Sequence, residues 1–508
     1  MRTLAGVAPC VRTVKTASGA TAVQVVYSSH RGSRDIEHIG SAHDEQEVEV
    51  LRAVARQRMT AGQGVLELGV GDPGASGAPA DPLPITSSRM ATWWDALEVA
   101  YAAVGFGSAT VSDLVFQALV LARIIEPTSK LDALRVLGEV GQPVPSYATL
   151  KRRLPVFATD AFRARLARAC ASHARIGPSS LVLFDVSTLY FETDTGDGFR
   201  EPGFSKERRL EPQITIGLLT DASGFPLMVN AFEGNRAETA TMLPVIRAFM
   251  AAHRLRDVTV VADAGMISAS NQRAIEAEGL SFILGAKIPT VPYVIAQWHR
   301  DHPGHDVPDG LVLTQPWPAG PSDHRRDQVI YYQYVHDRAR RSLKGIDVQV
   351  AKAERAVAGA VPIKRNRYVR LAGGSRTVNR ELEAKTRTLA GWKGYCTNLT
   401  SVDAQFVIGS YRRLFQIEKS FRMSKHDLQA RPIYARKRDS IEAHLNIVFA
   451  ALAVSRWIEA TTGWSIKKFV QTARRYHTVE IRAGATTMTA AQPLPEDLQR
   501  AIDAIRPR

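Results

Sequence analysis

Between Ser180 and Ala286 the chain sets out five apolar, β-branched runs of strand length, and their order constrains the fold more than any other feature. The runs are Ser180 to Val186, Gln213 to Leu219, Pro226 to Phe232, Asp257 to Ala262 and Ser281 to Ala286. Helical stretches, Glu238 to Ala252 and Ser268 to Glu278, separate the later ones, so the segment reads β-β-β-α-β-α-β. Three strands able to pair antiparallel, followed by alternating helices and strands, predict a mixed sheet with helices on both faces. From Ile288 to about Gln405 the pattern lapses into a Pro- and Arg-rich stretch around one strand-like run, Val329 to Val335, and a helix resumes from Ala404 through Leu428. An inserted domain is expected to interrupt the sheet.

Such an order is that of an RNase-H-like α/β core. At 508 residues and ~150 residues per domain, the chain has room for roughly three domains. Residues 1–68 alternate in period two around Val11 to Val14 and Ala22 to Tyr27 before a helical run, Glu45 to Arg58, which predicts a β-hairpin and helix module. Residues 69–84, dominated by Gly, Ala and Pro, read as a linker. Residues 85–175 turn helical and predict an all-α module of helix-turn-helix type. Its last piece places Ser146 as an N-cap ahead of three cations, Lys151, Arg152 and Arg153, which suits either a DNA-recognition helix or a capped surface helix. The core's first part is expected at 176–287, a β-rich insertion at 288–405, a helix carrying Glu418 with further helices at 406–480, and a tail at 481–508.

Charge points to the partner. The formal net charge is +15, and a basic excess of this size attracts polyanions, so double-stranded DNA leads. The counterweight is that 50 of the 65 cations are Arg, as GC-rich coding alone would give. Three widely spaced cysteines, Cys10, Cys170 and Cys396, form neither a disulfide framework nor a zinc spacing, which fits a reducing cytoplasm. The longest clean apolar run, Ile447 to Val454, is far below the ~20 residues of a spanning helix, so no membrane partner is expected.

Acidic residues fall where strand ends converge. Asp185 is expected at the end of the first strand, Asp263 directly after the fourth, and Glu418 on the helix beyond the insertion. Three carboxylates in one crevice call for cations, and two Mg²⁺ ions about 3.5 to 4 Å apart, replaceable by Mn²⁺, would support phosphodiester cleavage and strand joining. Tyr411, Glu418 and Lys425 are seven apart, which on a continuous helix returns each to nearly one face at about 10 Å intervals, with Arg422 one turn past Glu418. That face suits a DNA backbone entering the crevice; it equally suits an amphipathic helix with a Glu418–Arg422 ion pair. His444 on an apolar helix reads as a structural histidine, Ser187 lacks a nucleophile elbow, and no phosphate-binding Gly-rich loop is present.

Phe184-Asp185, Gly203 to Lys206, Gln213 to Leu219, Gly224-Phe225-Pro226, Gly234-Asn235, Ala262-Asp263, Tyr411 to Lys425 and Arg431 to Tyr434 occur in an order that resembles bacterial insertion-sequence transposases. The likeness is to the DDE cut-and-paste branch with a β-rich insertion before the catalytic Glu, and it spans roughly residues 10 to 480. It implies catalytic, metal-holding roles for Asp185, Asp263 and Glu418, DNA contacts from Tyr411 and Lys425, binding of terminal inverted repeats and target DNA, excision through hairpin ends, and a homodimer in a paired-end complex. The family's Tyr-x2-Arg-x3-Glu-x6-Lys signature has Leu414 at its Arg position, which leaves open whether Arg413 or Arg422 supplies that cation. Two alternatives remain: a transposase-derived DNA-binding regulator, and a nuclease of the same fold that does not join strands.

Overall fold

The computed structural model describes residues 10–506 apart from 17–18, 31–32, 61–82, 194, 204–209, 238–239, 254–257, 267–268, 321–324, 361–365, 373–374 and 484–485. Most of the sequence-read linker and the motif residues Phe204 to Lys206 therefore lie outside the described residues. The chain divides into two compact units, Met1–Pro82 and Leu83–Arg508.

The first unit is a meander of β1 (Cys10–Lys15), β2 (Thr21–His30) and β3 (Ser33–Ala42), covered by helix α1 (Glu45–Thr60). Val23, Val25, Ala42, Val48 and Ala55 form its core. The expected hairpin thus has a third strand. Its sequence, SRDIEHIGSA, carries too few apolar residues to reveal the alternation, and pairing to β2 supplies what propensity does not.

The second unit begins with β4 (Ile85–Arg89), then α2 (Ala91–Ala103), α3 (Phe106–Ala109), α4 (Leu114–Ile125), α5 (Ala133–Glu139), α6 (Tyr147–Phe157) and α7 (Asp160–His173). Side-chain oxygens cap three of these helices: Asp113 accepts from Phe116 N at 2.9 Å, Ser146 from Thr149 N at 3.1 Å and Thr159 from Phe162 N at 3.2 Å. Phe116, Phe157 and Phe162 meet in the centre with ring centroids 4.8 to 5.3 Å apart.

The large sheet is built from β5 (Ser180–Tyr190), β6 (Gln213–Asp221), β7 (Pro226–Glu233), β8 (Val258–Ala262) and β9 (Ser281–Ala286), with α8 (Met242–His253) and α9 (Ala269–Ala277) as crossovers. Then come α10 (Tyr293–Asp301), β10 (Val312–Trp317), β11 (Gln328–Tyr334), α11 (His336–Val357), β12 (Val369–Ala372), β13 (Ser375–Val378), α12 (Arg380–Thr388) and β14 (Trp392–Thr397). Strands run in the order β10-β11-β14-β9-β8-β5-β6-β7. Only the β5–β8 and β8–β9 pairs are parallel.

Residues 288–405 are therefore not a separate β-rich insertion. Three of their strands, β10, β11 and β14, continue the main sheet beyond β9. What departs from it is mostly helical: α11, the β12–β13 hairpin and α12, around Ile346, Val350, Ala353 and Tyr368. The 22-residue α11 was hidden because its apolar positions are diluted by charge.

The chain closes with α13 (Ala404–Arg412), α14 (Leu414–Arg422), α15 (Arg438–Thr462), α16 (Ile466–Ala473), β15 (Thr478–Ala483), β16 (Thr486–Ala491) and α17 (Glu496–Ile505). One helix, α15, is long and apolar enough to cross a membrane, yet 83% of its apolar window is buried inside the protein. Its buried residues run from Ile441 to Ser455 and join the sheet to the helical module. The carboxyl end is no loose tail: β15 pairs with β4, and α17 buries Leu498, Ala501, Ile502 and Ile505, one stripe at helical spacing.

Candidate active site

Strand registers bring the two aspartates together. Leu183 on β5 pairs with Val261 on β8, and Ala262 pairs with Leu284 on β9. Continued one or two places, these registers set Asp185, Asp263 and Gly285 in one row across neighbouring strands, with Tyr395 of β14 directly opposite Gly285. Neighbouring strands are ~4.8 Å apart, so the Asp185 and Asp263 positions lie level across the sheet. Asp185 is inside β5 rather than at its end, because pairing with β6 carries the strand on to Tyr190. Its Oδ1 accepts from Val186 N at 2.8 Å.

Tyr411 crosses the row. Its ring packs edge-on against Tyr395, with centroids 5.0 Å apart, and its hydroxyl donates to Asp263 Oδ1. The ring passes over Gly285, where a side chain's Cβ would lie only 2.7 Å from the Tyr411 hydroxyl. Glycine is what opens this passage. Burial, the bond to Asp263, and the nearby Asp263 and Glu418 charges push the phenol pKa up, so Tyr411 stays a donor.

Glu418 reaches the crevice from α14, which packs on β5 and is anchored by Ser420 Oγ donating to Gly224 O at 2.6 Å. Gly224 adopts φ +86°, and a Cβ there would lie 2.8 Å from Gln416 O. The continuous helix expected from 404 to 428 is broken twice. The first break is at Arg413, which caps both α13 and α14; the second is a π-helical turn over Met423–Asp427. Across these phase shifts the three residues differ in burial: Tyr411 is buried, Glu418 exposed and Lys425 half-buried. Arg413 and Arg422 are exposed, and Leu414 packs on the core. The expected Glu418–Arg422 ion pair is not found among the described residues.

The cation that does face the crevice was missed. Lys393 on β14 is half-buried, with Nζ 4.3 Å from the Tyr411 ring centre and 5.9 Å from that of Tyr395. Burial pushes its pKa down, while the Asp263 and Glu418 carboxylates pull it back up, so all three charges share one field. Its signal was a lone cation in the apolar run Trp-Lys-Gly-Tyr-Cys, overlooked because the run was assigned to an insertion.

The three cations of α6 separate. Lys151 and Arg152 are exposed, Lys151 lying 4.6 Å over the Tyr147 ring, whereas Arg153 is paired to Asp113, the cap of α4. His444 is buried, and its Nε2 lies 3.1 Å from Ala430 O.

The donors suit a hard dication, being carboxylates without imidazole or thiolate. They do not close into one ligand group: among the described residues, no three His, Cys, Asp or Glu side chains stand close enough to hold a metal.

Residues 176–454 match the family model of the transposase DDE domain, and the chain belongs to that family. It is thus a DNA transposase by class, of the enzymes that cut and join DNA strands. Among solved structures, one titled as the piggyBac transposase synaptic complex with hairpin DNA aligns with 74% of this chain and 70% of that one, at 10% identity and a TM-score of 0.37. No curated protein matches the sequence.

Proposed function

We propose that the chain is the transposase of a bacterial insertion sequence. It binds the element's terminal inverted repeats, cuts the DNA there and joins the freed ends to target DNA, acting in the cytoplasm on the nucleoid as a homodimer in a paired-end complex. The observation that carries this reading is the row of Asp185 on β5 and Asp263 at the end of the adjacent β8, with Glu418 on the helix packed against β5. Asp185, Asp263 and Glu418 would hold two Mg²⁺ ions, with Mn²⁺ able to replace them. When bound, the ions would activate the attacking oxygen and stabilise the leaving 3′ oxygen.

The chain's own groups do the positioning. Tyr411 keeps its proton and fixes Asp263. Lys393 takes the place left by Leu414, offering a charge beside both carboxylates to a backbone phosphate. Arg413, Arg422 and Lys425 extend that contact along the broken helix, and Lys151 and Arg152 of α6 meet the duplex, with Arg153 held back in its ion pair.

The test is reconstitution with Mg²⁺ on DNA carrying the repeats that flank the gene. Excision and joining support the reading. Cleavage without joining would make the chain a nuclease of this fold, and binding without cleavage a DNA-binding regulator.

A further inference from the structure

A cleft of about 540 Å³ lies between the helical module and the segment that leads into α15, away from the carboxylate crevice. Six cations line it: Arg123, Lys130, Lys151, Arg431, Arg436 and Lys437; His444 joins them, and no Asp or Glu does.

Arg123 decides what the cleft is for. It is 9% exposed, and no ion pair or hydrogen bond joins its guanidinium to another described residue. A buried charge without a partner is costly, and an arginine cannot shed its proton to escape that cost. Its neighbours raise the cost further: Lys130, itself largely buried, donates to Ser440 O at 3.2 Å, and the charges of Arg123 and Lys130 both act on His444. No described residue neutralises this group, which leaves it open to an anion from outside. Guanidinium and ammonium donors converging without a carboxylate among them are the chemistry that holds a phosphate.

The cleft's position says which phosphate. Its 429–437 wall is tied to the end of β5 by Ile433 N donating to Tyr190 O at 3.2 Å, and Phe191 bridges to Ile433. Asp185 is on that strand, five residues before Tyr190. At ~3.3 Å per residue the separation along β5 is roughly 16 Å, about five base steps of a duplex at ~3.4 Å each. Lys151, on the exposed face of α6, sits at the opposite wall.

We propose that this cleft is a phosphate-binding site that grips the DNA backbone about five base steps from the point of cleavage, with Arg123 at its floor and Arg436 and Lys437 at its rim. The inference rests on the reading of the chain as a DNA-cutting enzyme and adds a second anchoring point to it.

The test is the salt dependence of binding to a 40-base-pair duplex by the full chain, with Arg436→Ala/Lys437→Ala and Arg123→Gln as variants and inorganic phosphate titrated separately by calorimetry. For the rim double variant, the slope of log affinity against log salt should fall by about two units, and for Arg123→Gln by about one. Both rim residues are exposed, so their removal leaves folding intact, and unchanged melting of the double variant checks this. An unchanged slope in the double variant overturns the proposal. Tight binding of inorganic phosphate together with an unchanged DNA slope would assign the cleft to a free phosphate instead, and also overturns it. If the wild-type chain fails to bind DNA at all, the fault lies with the transposase reading itself.

Discussion

Gly285→Ala perturbs the site at its narrowest point. The added Cβ would lie 2.7 Å from the Tyr411 hydroxyl and 3.1 Å from both Cβ and N of Ala264. Ordinary contact begins near 3.4 Å, so the phenol must retreat by roughly 0.5 to 0.7 Å, enough to weaken its bond to Asp263. Overpacking of this kind costs about 1 to 3 kcal/mol, and replacing a strand glycine returns about 0.5 to 1 kcal/mol. A net loss of about 1 to 2 kcal/mol is expected. In a Tyr411→Phe background the offending oxygen is gone, only the Ala264 contact persists, and the same substitution should cost less than about 0.5 kcal/mol. Urea unfolding of the four proteins in this cycle reads out the coupling. An equal cost in both backgrounds would refute the claim that Tyr411 reaches Asp263 across Gly285.

Lys393→Gln should lower cleavage about 10- to 100-fold with little effect on end binding, whereas Arg413→Ala and Arg422→Ala should each lower it less; single-turnover rates compare them. Glu442→Ala removes one of the two carboxylate partners of Arg163, whose side chain is 8% exposed in the bond between α7 and α15, and leaves Asp160 at 2.9 Å, so it should destabilise the second unit by about 2 kcal/mol in chemical unfolding. His444, buried beside Arg123 and Lys130, has its pKa pushed well below 6.5 by burial and by those charges. The unfolded chain then binds the extra proton as pH falls below about 6.5, so stability present above that pH is lost under acid conditions. Melting scans should show that loss, and His444→Gln should flatten it.

Asp263 was legible from sequence because an apolar run has period and length and the acid beside it inherits the position, whereas the run around Asp185 marked the strand but not its end, which pairing with β6 carries on to Tyr190. Lys393 was not legible by that route. It reaches the crevice through β14, which joins β9 across more than a hundred residues of chain, and no local pattern carries that pairing. The Tyr411 to Lys425 spacing was read as one helix face, because periodicity assumes an unbroken helix and is blind to the turn at Arg413 and the π-helical turn after Arg422. The helix α17 was missed for a different reason. Its apolar stripe is in the sequence, but a terminal position invites a tail assignment that packing overrules.

Joint action of Asp185, Asp263 and Glu418 on DNA is the part of the proposal that most needs a test. Its most direct measurement is cleavage of repeat-bearing DNA in Mg²⁺ by Asp185→Asn, Asp263→Asn and Glu418→Gln, each compared with the wild type for DNA binding. All three should lose cleavage by orders of magnitude and keep binding. Wild-type cleavage by any one of them, or undiminished cleavage by the wild-type protein in EDTA, would contradict it.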